Sequence, residues 1–279
     1  MAVQVQLDDI ETMEIELLLE GLYRLYGADF RDYAIASLRR RIWNAVREES
    51  VTSISSLQDR LLHDREAMER FLLRLSVSVT SLFRDPTFHL AVREKVIPLL
   101  KTYPFVRIWH AGCATGEEVY SMAILLQEEG LYDRARIYAT DMNDHVLAKA
   151  RDGIFSADSI AEYEANYRAA GGKAALADYY TSKYEGAIFK QSLKRNIVFA
   201  EHNLVTDSSF NEFNAIFCRN VMIYFNHKLQ ARVHDLLHSS LRRFGVLALG
   251  RKEVLKGATP YEEAYEELDA REKIYRKIG

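Results

Sequence analysis

Apolar residues early in the chain recur at three- and four-residue spacing: Ile10, Met13 and Leu17, then Leu18, Leu22 and Leu25. That is the period of an amphipathic helix, and Gly27 is placed to stop it. The same pattern predicts a second helix over Tyr33–Glu48 and shorter ones around Ser56–His63 and Arg65–Leu75. From Val106 the rhythm changes. Val106–Ala111 and Arg136–Thr140 are short apolar strands, each followed by an amphipathic helix, and this alternation predicts a parallel sheet with right-handed crossovers. Phe213–Phe217 has the length and composition of a buried parallel strand. The change of regime falls near Leu75–Ser81, before a helix opened by Asp85 as N-cap and Pro86 at its first position. We therefore expect a helical domain over 1–76 and an α/β domain over 77–279. Within the second, Ala187–Leu193 and Asn196–Ala200 alternate around Lys194-Arg195, which predicts an antiparallel hairpin inserted at about 179–201.

Composition narrows the class. With 279 residues, 48% apolar and 28% charged, the chain has room for one large core and an appended domain, or for two domains. There is no run of about eighteen apolar residues, so no membrane insertion is expected. The acidic start lacks the basic opening and cleavage site of a secretory signal. Two cysteines, Cys113 and Cys218, suit buried thiols in a reducing cytoplasm better than a disulfide framework. A net charge of −3 argues against a nucleic-acid partner.

Polar groups gather where the expected strands end, which is where ligands bind in open α/β sheets. After Phe217, Arg219 and Asn220 interrupt a hydrophobic segment that continues to Phe225. They serve either a ligand or only the backbone of a turn. The first strand runs into Gly112-Cys113-Ala114-Thr115-Gly116-Glu117-Glu118. Small residues there allow close approach of a ligand, and the helix expected from near Thr115 offers its N-terminal amides to an anionic group. The dinucleotide pattern G-x-G-x-x-G is missing. The second strand ends at Asp141, which either accepts from both ribose hydroxyls of a nucleoside or caps a helix starting near Asn143. The combination favours a nucleoside ligand without pyrophosphate, S-adenosylmethionine rather than NAD. His234 and His238 have the spacing of a helical metal pair but no third ligand, so they read as surface histidines and no metal is expected.

Four stretches in this order resemble the motifs of the CheR family: Val77–Asp85, Gly112–Ser121, Ala139–Asp141 and Cys218–Phe225. These are the S-adenosylmethionine-dependent methyltransferases of bacterial chemoreceptors, and the likeness runs over nearly the whole chain. It implies a Rossmann-like class I methyltransferase sheet of seven strands whose last strand, over Glu272–Ile278, is antiparallel. It places Ser78, Thr80, Arg84 and Met142 beside the cofactor, Gly112 and Glu118 in the first loop and helix, and Asp141 at the ribose. Asn203 and Leu204 would lie against the adenine, Arg219 and Asn220 would close the pocket, and Tyr224 would approach the transferred methyl. Arg84 and Tyr224 are thereby the expected catalytic pair.

The implied reaction esterifies receptor glutamates and releases S-adenosylhomocysteine. A glutamate with a pKa near ~4.3 is already an anionic nucleophile at neutral pH, so no general base is required. The implied partner is the set of acidic cytoplasmic helices of a chemoreceptor, met by the basic cluster Arg39-Arg40-Arg41. A cytoplasmic monomer is expected. The lead-in Tyr179-Tyr180 to Tyr184-Glu185-Gly186 is short, which argues against tethering of a receptor C-terminal peptide. One departure is Gly250-Arg251-Lys252-Glu253, where the family has Gly-His-Ser-Glu. Two rivals stay open: a methyltransferase for another substrate, and a non-catalytic S-adenosylmethionine-binding sensor or scaffold.

Overall fold

Gly27, in the left-handed region at φ 70°, ends helix α1 (Leu7–Tyr26) by donating its N–H to Tyr23 at 2.9 Å. Three more helices follow: α2 (Ile35–Glu48), α3 (Ile54–His63) and α4 (Arg65–Leu75). This computed structural model describes residues 7–75, 80–183 and 186–279. The chain divides into two compact units, Met1–Val77 with Tyr224–Gln230, and Ser78–Ile223 with Ala231–Gly279.

In the helical unit α1 buries Ile15, Leu18, Leu19 and Leu22, whereas Ile10, Met13, Leu17 and Leu25 lie on its exposed face. On α2 the buried set is Leu38, Arg41, Ile42, Ala45 and Val46. The helical period thus carries Arg41 inward with the apolar face, and only Arg39 and Arg40 of the expected basic surface are exposed. Arg41 donates to the Leu75 carbonyl, and its guanidinium lies 4.6 Å from the centre of the Tyr224 ring. Arg39 is held by Glu11 and Asp8. Tyr33 does not begin α2. It forms a bridge with Phe225, their rings meeting edge to face at 4.9 Å.

The α/β unit contains strands β1 (Val106–Ala111), β2 (Ala135–Asp141), β3 (Ile154–Ser156), β4 (Tyr180–Lys183), β5 (Gly186–Phe189), β6 (Ile197–Glu201), β7 (Phe213–Cys218), β8 (Leu241–Leu249), β9 (Tyr265–Asp269) and β10 (Ile274–Lys277). Its helices are α5 (Pro86–Ala91), α6 (Ile97–Lys101), α7 (Glu117–Glu128), α8 (Asp144–Asp152), α9 (Ile160–Ala169), α10 (Gln191–Lys194) and, from Ala231 onward, α11 (His227–Ser240). Seven strands form one sheet in the order β6-β2-β1-β7-β8-β10-β9. The first five of these run parallel, and β10 is antiparallel to both β8 and β9. Every residue of β7 is buried, so its sequence is apolar on both faces instead of alternating, apart from Asn214, whose Oδ1 accepts from Arg107 N–H of β1 at 2.8 Å. Cys218 ends β7 and Cys113 follows the neighbouring β1, and both are free, buried thiols.

Three expectations are corrected. The antiparallel insertion is a three-stranded sheet in the order β3-β5-β4, and the segment expected as its second arm is β6, a parallel edge strand beside β2. Alternation marks any half-buried strand, hairpin or edge alike. Strand β9 had no counterpart among the expected elements, because Tyr265–Asp269 is a polar edge. His234 is buried, 3% exposed, with Nε2 3.1 Å from the Val254 carbonyl oxygen, and His238 is half-buried and stacked on Tyr261.

Candidate active site

The carboxyl ends of β1, β2, β6, β7 and β8 carry the polar residues singled out above, and backbone strain collects there. Asn220 (φ 60°), Ala114 (φ 49°), Phe83 (φ 50°) and Asp85 (φ 55°) are all left-handed without being glycine. Each such residue costs about 1–3 kcal/mol and persists only where its surroundings over-determine it.

The loop after β1 folds back onto β2. Gly112 and Cys113 both donate to the Thr140 carbonyl at 2.8 Å, and Ala114 donates to Asp141 Oδ2 at 2.9 Å. Asp141 also accepts from Asn143 N–H at 3.1 Å. It is therefore not the cap of α8; Asn143 is, accepting from His145 N–H at 3.0 Å. Burial pushes the Asp141 carboxyl up from its ordinary range against the pull of these N–H groups, so a ligand that donates to it relieves an unfavourable burial. Met142 continues the loop, and His202 N–H joins the ends of β6 and β2 by donating to the Asp141 carbonyl at 3.1 Å. Next in the chain, the Asn203 side chain accepts from Val205 N–H and Leu204 is buried.

Gly116 (φ 92°) caps α7. A Cβ there would lie 2.9 Å from that of Ala150, so only glycine admits the turn together with α8. At Gly112 (φ 77°) a Cβ would meet Val221 Cγ2 at 2.5 Å. The first loop and the loop after β7 are thus in direct contact.

Arg219, with 1% of its side chain exposed, donates to Asp85 Oδ2 at 2.8 Å and to Glu118 Oε2 at 2.6 Å, and its guanidinium packs 3.7 Å from the Phe88 ring centre. Burial alone would raise Glu118, but Arg219 and the His110 imidazole at 3.3 Å overcome it and hold the carboxylate well below its usual range. Asp85 occupies the N-cap position of α5 yet caps nothing with its side chain, because its oxygens face Arg219 and, at 3.7 Å, Arg251. Arg251 in turn donates to both oxygens of Glu272 at 2.9 and 2.8 Å. The position that departs from the family pattern is therefore a link in an ion-paired wall. Arg84 is half-buried between the two strained residues Phe83 and Asp85, with its N–H on the Ser81 carbonyl at 3.2 Å.

The strand ends thus bring Gly112, Glu118, Asp141, Arg219 and Asn220 together through adjoining loops. Thr80 directly precedes the Ser81–Arg84 turn. Ser78 lies outside the described residues, as do Tyr184 and Glu185 of the hairpin. Tyr224 packs within the helical unit, its carbonyl accepting from Ala34 N–H at 2.8 Å. Sequence reasoning missed the Asp85–Arg219 pair, Glu272 and Glu253; only the Gly-x-x-Glu spacing after β8 hinted at the last.

His89 is fully buried beside Phe83 and Phe88, and neither ring nitrogen has a partner among the described residues. Burial, with the nearby Arg219 charge, lowers its pKa to about 3. The unfolded chain takes up that proton below about 6.5, so stability is expected to fall as pH drops from there toward about 3. His89→Leu should remove this slope, at most about 1.4 kcal/mol per pH unit, without loss at neutral pH. Urea midpoints from pH 7 to pH 5 check it; an unchanged slope in the variant would exclude His89 as the source.

A parallel sheet with its last strand inserted antiparallel, a glycine loop without the pyrophosphate pattern and an acidic residue ending β2 together define a class I S-adenosylmethionine-dependent methyltransferase. Residues 13–76 match the CheR methyltransferase all-alpha domain and residues 78–270 the CheR methyltransferase SAM binding domain. The chain belongs to the CheR methyltransferase family. The Pseudomonas putida protein Cher3 is 49% identical over 265 residues, covering 95% of this chain and 97% of that one. The chemotaxis protein methyltransferase of Listeria monocytogenes is 26% identical over 84% of this chain and 87% of its own. An uncharacterized 104.1 kDa protein of Rhodobacter capsulatus is 30% identical over 98% of this chain, which spans 28% of its length.

The cofactor is S-adenosylmethionine, and the residues present fit it. Its cationic end suits the ionised Glu118, its ribose hydroxyls suit the carboxylate of Asp141 at the end of β2, and its carboxylate suits the amides opening α7. No helix among the described residues is long and apolar enough to cross a membrane.

Proposed function

We propose that the chain methylates glutamate side chains of a chemoreceptor cytoplasmic domain, forming methyl esters in chemosensory adaptation. The observation that carries this is the presence of both CheR domains in one chain. The chemotaxis protein methyltransferases among its relatives support methyl transfer in chemotaxis.

S-adenosylmethionine, when bound, supplies an electrophilic methyl on a sulfonium. Attack by an ionised carboxylate requires alignment and exclusion of water but no proton transfer. Arg84 is assigned to orient the substrate carboxylate, and Tyr224 to act at the reacting end. A tight bidentate Arg84 pair would stabilise the ground state and slow attack, so Arg84 positions the nucleophile and does not activate it. Glu118, Asp141, Asn203, Leu204, Arg219 and Asn220 hold the cofactor, and exposed Arg39 and Arg40 meet the acidic receptor helix.

Transfer of labelled methyl to a receptor cytoplasmic fragment tests the proposal. The product should be released by mild base, as an ester is; a base-stable product would assign a different acceptor. Arg84→Ala and Tyr224→Phe should each lower turnover about tenfold, with a smaller change in cofactor affinity. A variant that loses cofactor binding yet turns over normally at saturation would contradict their placement at the reacting end.

A further inference from the structure

Glu253 is 4% exposed, and its carboxylate is surrounded by backbone N–H groups of two different loops. Oε1 accepts from Val221 and Met222, both at 2.8 Å. Oε2 accepts from Asn220 at 3.2 Å and from Gly250. A carboxylate offers two oxygens with about four acceptor sites between them, and these four donors use them all. A glutamine would keep one accepting oxygen and turn its NH2 against the other pair of N–H groups.

The surroundings admit little else. Asn220 holds its left-handed conformation at φ 60° beside this carboxylate. A Cβ on Gly250 would lie 2.8 Å from both Asn220 N and Glu253 Oε2. Asn220, Gly250 and Glu253 therefore form one rigid unit that ties the loop after β8 to the loop after β7. The effect extends further. Val221, whose N–H is held, is the residue packed over Gly112 in the first loop. Arg219, just before the held segment, carries Glu118 and Asp85.

We infer that Glu253 is a positioning residue for the cofactor site: it holds the Asn220–Met222 backbone, and through Val221 and Arg219 sets the first loop and Glu118. This rests on the cofactor assignment above for its functional half, while the holding of the loop can be measured without it.

The experiment compares the full chain with Glu253→Gln and Gly250→Ala by hydrogen exchange, by calorimetry with S-adenosylhomocysteine, and by methyl-transfer kinetics. In both variants exchange should speed up at 220–222 and 250 but not within β1 or β7, a local pattern that general destabilisation would not give. S-adenosylhomocysteine should bind about tenfold more weakly, and KM for S-adenosylmethionine should rise more than kcat falls. If Glu253→Gln does not fold, Gly250→Ala disturbs the same cluster from the opposite side and carries the test. Unchanged exchange at 220–222 overturns the inference, and so does faster exchange there with unaltered S-adenosylhomocysteine affinity. A wild-type chain that binds the probe but methylates no receptor fragment would instead overturn the substrate assignment and leave the exchange and affinity comparisons valid.

Discussion

Arg219→Met is expected to cost about 3–5 kcal/mol of stability at neutral pH, the range for breaking a buried ion pair by removing one partner. The guanidinium is enclosed by Asp85, Glu118 and the Phe88 ring, so its loss leaves the largely buried Glu118 with the imidazole of His110 in place of a full positive charge. The pH dependence separates this from a packing defect. Glu118 is held below its ordinary value in the folded protein. Its contribution is therefore present above the unfolded value, about 4.3, and fades as pH falls through the lower folded value. The wild-type advantage over the variant should shrink under acid conditions, where Glu118 in the variant can take a proton. Urea unfolding at pH 7 and pH 4 checks both points. A cost under about 1 kcal/mol, more typical of a surface pair, or a difference that widens in acid, would exclude the buried-charge account.

Asp141→Ala should weaken S-adenosylhomocysteine binding by about 1–3 kcal/mol, or roughly five- to 150-fold. Two losses add. The carboxylate no longer meets the ribose, and the first loop loses the acceptor of the Ala114 N–H. Asp141→Asn should fall between the two, since one oxygen can still accept from Ala114. Calorimetry on the three proteins provides the check; equal affinities would remove Asp141 from the cofactor site.

How far these residues could be read beforehand depended on the physics that places them. Leu18 and Leu22 announced their helix because burial on a helix follows its period, and Gly27 its end. The same period also carried Arg41 inward, but a run of three arginines reads as a surface until the apolar face on either side is counted. Segment 196–200 was legible as a strand but not as a member of the large sheet, because alternation reports half-burial and says nothing of the partner. Asp141, Glu118 and Asn220 stood out as polar interruptions at strand ends. Glu253 did not, because its role comes from four amides that converge only in three dimensions.

The order of strands in the large sheet has a consequence for synthesis. Strand β10 emerges from the ribosome last of the ten, yet it sits between β8 and β9. During translation β8, with Val246, Leu247 and Ala248 awaiting their partners in β10, presents an unsatisfied apolar border. Strand β9 does not pair with β8 directly, so the gap remains until residues 274–277 are available. A nascent or truncated chain ending near residue 269 thus lacks both the strand that joins β8 to β9 and the Glu272 partner of Arg251, and its open apolar border is of the kind that makes incompletely folded chains aggregate.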